Sequence, residues 1–256
     1  MNGAPLLPAA FLAAPIAHRG LHDAGRGIIE NSAGAFSAAI AAGYGIECDL
    51  RPASGGLPVV FHDKTLDRLI DGHGPIADLT SSSLAHLRYK ISGETILTFD
   101  GLLALVAGIT PLLVEIKSEW DPPDSNFLDA IARDASAYLG PIALMSFDPA
   151  VVAGLAERAP TIPRGLVSGS YGETGTGNWW QDRLSEERRT ALAEMTEFDA
   201  VQASFAAYEV GALPAPATQA LRKRAVPVLT WTVRTGLDRQ RARLYADAPI
   251  FEGFRP

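Results

Sequence analysis

Short apolar runs alternate along the chain with longer stretches in which apolar side chains recur every third or fourth position. The first pattern suits strands buried on both faces, the second suits amphipathic helices, and their alternation predicts a parallel α/β sheet. Strand-like runs fall at residues 15–18, 45–50, 58–62, 112–117, 142–147, 164–168, 200–204, 226–233 and 249–251, nine in all. Only Arg-Pro-Ala-Ser-Gly-Gly-Leu separates the second run from the third, too little for a parallel crossover of about a dozen residues. Gly55-Gly56 signals a tight turn instead. The third run is therefore expected to fold back as an extra hairpin after the second strand, leaving eight strands for a TIM-type (β/α)8 barrel. A chain of 256 residues can close one such barrel, so residues 1–256 are read as one domain.

Helix ends are legible in the same way. Asn31 or Ser32 precedes an alanine-rich run that stops at Gly43, and Asp148 precedes Pro149, an N-cap followed by proline in the first turn. Thr80 and Ser185 are further candidate N-caps.

Charge and cysteine content narrow the partners. A formal net charge of −7 argues against a sequence-independent grip on nucleic acid, which needs clustered Lys and Arg. One cysteine excludes an intrachain disulfide and a thiolate metal site, and suits a reducing cytoplasm. The apolar N-terminal stretch carries no Lys or Arg before Arg19, unlike the basic start of an export signal. No apolar run approaches the roughly 20 residues that span a bilayer. A soluble cytoplasmic protein without stable membrane insertion, monomeric or homodimeric, is the expectation.

Chemistry concentrates where strands end, which in such barrels is where function sits. Three strands finish in Ala17-His18-Arg19-Gly20, Ile46-Glu47-Cys48-Asp49 and Val114-Glu115-Ile116-Lys117. Side chains alternate along a strand, so Glu47 and Asp49 share one face, Glu115 and Lys117 another, and Cys48 turns outward against the helices. Inward-pointing faces would bring Glu47, Asp49 and Glu115 together as an all-oxygen site for a hard divalent ion, Mg²⁺ or Ca²⁺. A salt-bridge network with Arg19 and Lys117 accounts for the same acids. His18 and His62 change the balance: both end strands beside the acids, and two imidazoles that titrate near neutrality can remove one proton and donate another. Glu30 and Asn31 can orient these groups, although helix capping explains Asn31 equally well. Phe147 and Trp231 are candidate walls of the pocket, a role that ordinary barrel packing also explains. Tyr171, Trp179 and Trp180 fall in a Gly-rich rim segment that reads as an aromatic lid or as loop packing. His22 reads as an outer neighbour of the site, and His73 and His86 as solvent-side.

Taken in order, Ala17-His18-Arg19-Gly20, Glu30-Asn31-Ser32, Glu47-Cys48-Asp49, Pro58-Val59-Val60-Phe61-His62-Asp63, Glu115-Ile116-Lys117, Ser146-Phe147 and Trp231-Thr232-Val233 resemble the motifs of glycerophosphodiester phosphodiesterases. The resemblance runs from about residue 15 to residue 235. It implies a barrel that cleaves a small-molecule glycerophosphodiester to glycerol 3-phosphate and an alcohol. It also implies a divalent ion on Glu47, Asp49 and Glu115, His18 and His62 as the catalytic pair, and Arg19 and Lys117 on the phosphate. A related barrel phospholipase, of phospholipase C or sphingomyelinase D type, would share the histidines but stop at a cyclic phosphate. A non-catalytic binding barrel would be expected to lack one of these groups.

Four places depart from the family's pattern: Ile29 for proline, Ser32 for threonine, Arg234 for asparagine after Trp-Thr-Val, and 252–256 for the usual Thr-Asp-x-Pro ending. The last puts substrate contacts from the final strand in doubt. The span from His62 to Glu115 is short for a large inserted subdomain, which implies an open cleft.

Overall fold

The computed structural model describes residues 3–172 and 183–256. Its strands are β1 (Ile16–Ala17), β2 (Gly45–Pro52), β3 (Pro58–Val60), β4 (Leu112–Ile116), β5 (Ile142–Ser146), β6 (Arg164–Ser168), β7 (Phe205–Glu209), β8 (Val228–Val233) and β9 (Ala248–Phe251). The helices are α1 (Ala10–Ala13), α2 (Ala33–Ala41), α3 (Ser81–Leu84), α4 (Phe99–Val106), α5 (Ser125–Ala137), α6 (Pro149–Arg158), α7 (Glu186–Ala193), α8 (Pro216–Lys223) and α9 (Gly236–Tyr245). Strand order is β1-β9-β8-β7-β6-β5-β4-β2-β3, and β1 also pairs with β2. That pairing closes eight parallel strands into a (β/α)8 barrel, with β3 attached to β2 from outside the ring. The expected hairpin is present: Leu50, Arg51 and Pro52 face Val60, Val59 and Pro58 in antiparallel register. Gly55 and Gly56 turn the chain with φ of 73° and 79°. Gly56 also lies so close to α5 that a Cβ there would come within 2.7 Å of the Phe127 amide nitrogen.

Strand alternation divides the core in two. Leu113, Ala143, Met145, Val167, Phe205, Ala207, Leu229 and Ile250 fill the barrel interior, with Phe11 of α1 and Leu7 packed into the same cluster. Ile46, Cys48, Leu50, Val114 and Leu144 point outward to α2, α4, α5 and α6. Each full burial of such a side chain contributes about 1.5–3 kcal/mol, which is why the alternation holds the register. Gly165 supplies the gap that Phe205 occupies: a Cβ there would meet the ring at 2.3 Å. Four of the expected caps are seen, with Ser32, Thr80, Asp148 and Ser185 accepting from the amides of Ala35, Ser83, Ala150 and Arg188.

The sixth barrel strand in chain order, β7, corrects the reading at 200–204. It is Phe205–Glu209, because Gln202 is left-handed at φ 53° and no extended strand passes through such a residue. Val201 and Ala203 are buried, but they pack against the outer layer as part of a turn. The true strand carries two alanines, which have weak strand propensity and hide its alternation.

Residues 61–98 are shorter than a second domain but do more than connect. Phe61, Leu66, Ile70, Ile76 and Tyr89 form an apolar centre separate from the barrel core, making a small cap beside the mouth on the side of His62.

Candidate active site

Backbone register assembles the acidic floor. Asp49 pairs with Glu115 across β2 and β4, and Glu47 lies one inward position below Asp49. Ligand oxygens from Glu47, Asp49 and Glu115 all lie within 4.8 Å of one another, and all three residues are buried. Asn31 holds Asp49 twice: its Nδ2 donates to Asp49 Oδ2 at 2.8 Å, and its Oδ1 accepts the Asp49 amide at 3.3 Å. Ser32, not Asn31, caps α2, so the two readings of Asn31 resolve in favour of orientation. Left-handed φ at Arg19 (55°) turns its amide onto Glu47 Oε2 at 2.8 Å.

Cations border this floor on two sides. Lys117 Nζ lies 2.8 Å from Asp49 Oδ1 and donates to Glu115 Oε1. Arg19 Nε lies 3.3 Å from Asp49 Oδ2, and its Nη1 donates to Glu30 Oε1 at 2.7 Å. Burial opposes ionisation of Asp49, but Lys117 and Arg19 overcome it and hold this carboxyl well below the usual range. Glu47 goes the other way: burial first, then repulsion from Asp49 and Glu115, pushes it well above. Its Oε1 is buried with no hydrogen-bond partner in the protein. An orphaned carboxylate oxygen among three converging acids fits a hard cation at their centre; a closed salt-bridge network would have satisfied it.

Both histidines reach the same cavity, of about 540 Å³, which Glu47, Glu115, Lys117 and Arg19 also line. Each has a carboxylate on its Nδ1. Glu252 Oε2 lies 2.6 Å from His18 Nδ1, and Asp63 Oδ1 lies 2.8 Å from His62 Nδ1. A carboxylate there favours the Nδ1–H tautomer, leaving Nε2 for chemistry. His18 Nε2 is 4.0 Å from Glu47 Oε2.

Glu252 is a residue that the sequence reading missed: the divergent end of the last strand places a carboxylate on His18. The two departures at Arg234 and Glu252 meet each other: Arg234 Nη2 donates to Glu252 Oε2 at 2.8 Å. Phe147 and Trp231 line the cavity with rings edge-on at 5.3 Å, and Trp231 Nε1 donates to Ala207 O at 3.1 Å. Tyr171 is buried and lines the cavity too, whereas Trp179 and Trp180 lie outside the described residues. His22 sits partly buried near the first turn, and His73 and His86 are exposed.

Comparison with known proteins places the chain among its relatives. Residues 18–251 match the model of the glycerophosphoryl diester phosphodiesterase family. A Mycobacterium tuberculosis protein named "Probable glycerophosphodiester phosphodiesterase 1" is 29% identical over 175 residues, 59% of this chain and 63% of that protein. Human glycerophosphodiester phosphodiesterase 1 is 43% identical over 74 residues, 28% of this chain and 21% of that one. The matched segments thus span less than two thirds of these relatives' own length. Among solved structures, an Oleispira antarctica phosphodiesterase in complex with the product sn-glycerol-3-phosphate superposes with a TM-score of 0.75 at 20% identity, covering 94% of each chain. Thermotoga maritima glycerophosphodiester phosphodiesterase gives 0.69 at 22% identity, over 93% of this chain and 94% of that one. At such identities these structures establish the fold, and the family model, covering the site from His18 to the end of β9, establishes the kinship. The chain belongs to the glycerophosphoryl diester phosphodiesterase family.

Proposed function

We propose that the protein hydrolyses glycerophosphodiesters to glycerol 3-phosphate and an alcohol, using His18 and His62 as acid and base beside one divalent ion, Mg²⁺ or Ca²⁺, held by Glu47, Asp49 and Glu115. The observation that carries this reading is the convergence of two imidazoles, each tied at Nδ1 to a carboxylate, on a cavity floored by three buried acids. The product seen on the Oleispira antarctica enzyme is the one this reaction would release. The ion, when bound, supplies fixed positive charge facing the phosphoryl oxygens as they gain charge.

The protein's own groups do the rest. Arg19 and Lys117 hold the non-bridging phosphate oxygens, and Phe147 with Trp231 forms an apolar wall for the glycerol carbons. One imidazole takes the proton of the neighbouring glycerol hydroxyl as its oxygen bonds to phosphorus. The other protonates the departing alcohol oxygen, which leaves a cyclic phosphate. Water then opens the ring with the two proton roles reversed, restoring both imidazoles. Trapping of the cyclic phosphate during turnover is the expected sign of this order, and its absence would favour direct attack by water.

We place the enzyme in the cytoplasm: its one cysteine is free and buried, and no helix among the described residues is long and apolar enough to cross a membrane. The test is release of glycerol 3-phosphate from glycerophosphocholine and glycerophosphoethanolamine with Mg²⁺, Ca²⁺ or EDTA. Metal-dependent turnover, lost in His18→Ala and Glu47→Ala, is expected. Ion binding without turnover would redirect the assignment to phospholipases that stop at a cyclic product.

A further inference from the structure

Arg68 does not line the cavity, yet two groups that do are tied to it. It sits in the cap on a short turn between two buried anchors, Leu66 and Ile70, with the Ile70 amide donating to Leu66 O at 2.9 Å. From there its guanidinium forks onto two carboxylates at once. Nε donates to Asp63 Oδ2 at 2.6 Å and Nη2 to Asp63 Oδ1 at 3.0 Å. Nη1 donates to Glu30 Oε2 at 2.9 Å and Nη2 to Glu30 Oε1 at 2.8 Å.

Each of those carboxylates is shared with a group of the site. Asp63 Oδ1 also holds His62 Nδ1, and Glu30 Oε1 also holds Arg19 Nη1. The chain His62–Asp63–Arg68–Glu30–Arg19 is therefore continuous, and it crosses from the cap to the first barrel turn through one side chain. We propose that Arg68 is a positioning residue that fixes the imidazole of His62 and the guanidinium of Arg19 in one geometry, so that proton transfer and phosphate binding are aligned together. This rests on the functional reading above and adds to it a residue that never touches substrate.

Its side chain is 47% exposed, and ion pairs so exposed add little to stability. A purely structural surface network would thus leave both folding and turnover nearly unchanged when Arg68 is lost. A positioning residue would leave folding but not turnover, because catalytic groups displaced by fractions of an ångström lose rate steeply. Lysine cannot substitute well, since one ammonium lacks the planar fork that engages two carboxylates in parallel.

The experiment measures kcat, KM and melting temperature on glycerophosphocholine for wild type, Arg68→Ala, Arg68→Lys, Asp63→Asn and the Asp63→Asn/Arg68→Ala double variant. Arg68→Ala is expected to lose about 10- to 100-fold in turnover, as for other residues that orient a site from outside it, with its melting temperature little changed. Arg68→Lys should recover only a small part. Added methylguanidinium should restore activity to Arg68→Ala and do nothing for wild type. Since Asp63 and Arg68 act along one chain, the double variant should be no slower than the slower single one. Turnover of Arg68→Ala within twofold of wild type, multiplying effects in the double variant, or losses that follow unfolding in both Arg68 variants would overturn the proposal. A wild type that cleaves no diester would instead bring down the functional reading itself, and Arg68's role with it.

Discussion

His18 and His62 use one device, a carboxylate on Nδ1, but the molecule builds it in two ways. His18 belongs to the barrel: its amide donates to Phe251 O at 2.9 Å, and its partner Glu252 follows β9, the strand beside β1. His62 belongs to the cap, and its partner is the next residue in sequence. Their surroundings differ accordingly, with side chains 12% and 32% exposed. Burial lowers the pKa of His18, and its hydrogen bond to Glu252 opposes this only in part. Burial likewise opposes the charge on Asp63, but His62 and Arg68 outweigh it and depress this carboxyl far below its usual value. The barrel arm is held by strand pairing, and its imidazole is the less exposed of the two. The cap arm is held by charge-assisted hydrogen bonds at a wetter rim. The same chemistry can thus be supported by backbone ladders or by side-chain networks, and the two should fail differently.

The largest effect expected is removal of what both arms share. Glu47→Gln should abolish divalent-ion binding, read by calorimetry, and lower turnover by about a thousandfold or more, as expected when charge stabilisation at the reacting centre is lost. Removing one arm comes next. His18→Ala or His62→Ala should each cost about 10²–10⁴-fold in kcat, and the double variant should lose little more than either, because the two act as a unit. Fully multiplying losses would show the arms to be independent.

Smaller changes sharpen the contrast between the arms. Glu252→Gln and Asp63→Asn should each reduce turnover by about 10- to 100-fold, and each should weaken the fold by about 1–2 kcal/mol in urea melts at pH 7, because both carboxyls are lowered on folding. Glu252 is depressed to about 2: burial opposes its charge, but the hydrogen bond to His18 and the charges of His18 and Arg234 prevail. A carboxylate lowered on folding contributes its stability fully above its unfolded pKa of about 4.5 and loses it as pH falls through the folded value. The difference between wild type and Glu252→Gln should therefore persist at pH 7 and vanish between about pH 4.5 and 2. A stability loss in Asp63→Asn much smaller than in Glu252→Gln would show that the network-held arm serves catalysis more than the fold.

Much of the site was legible because it follows local rules. His18, Glu115 and Lys117 lie at strand ends and Glu47 and Asp49 within β2, and alternation alone sends them inward and Cys48 outward. The hairpin followed from a loop too short to cross over, and Ser32, Asp148, Thr80 and Ser185 announced their helices. β7 was misplaced because its alternation is written in alanines, while the apolar turn before it reads as strand. Asn31 could not be assigned from the sequence, since a side chain next to a helix start can cap it or reach away from it. Arg68 lies in a polar stretch of the cap, where its partners at positions 30 and 63 have no periodic relation to it.

By itself, then, the sequence determined the barrel, the extra hairpin and the inward set of acids and histidines, because strand period and turn chemistry act over a few residues. Only the tertiary structure decided what holds those groups in place. Glu252 is 234 residues from His18 and becomes its neighbour solely because a closed parallel sheet sets its last strand beside its first. Glu30, Asp63 and Arg68 meet only because the cap packs its own apolar centre against the barrel rim. Contacts of that kind depend on closure and packing, which no local pattern records.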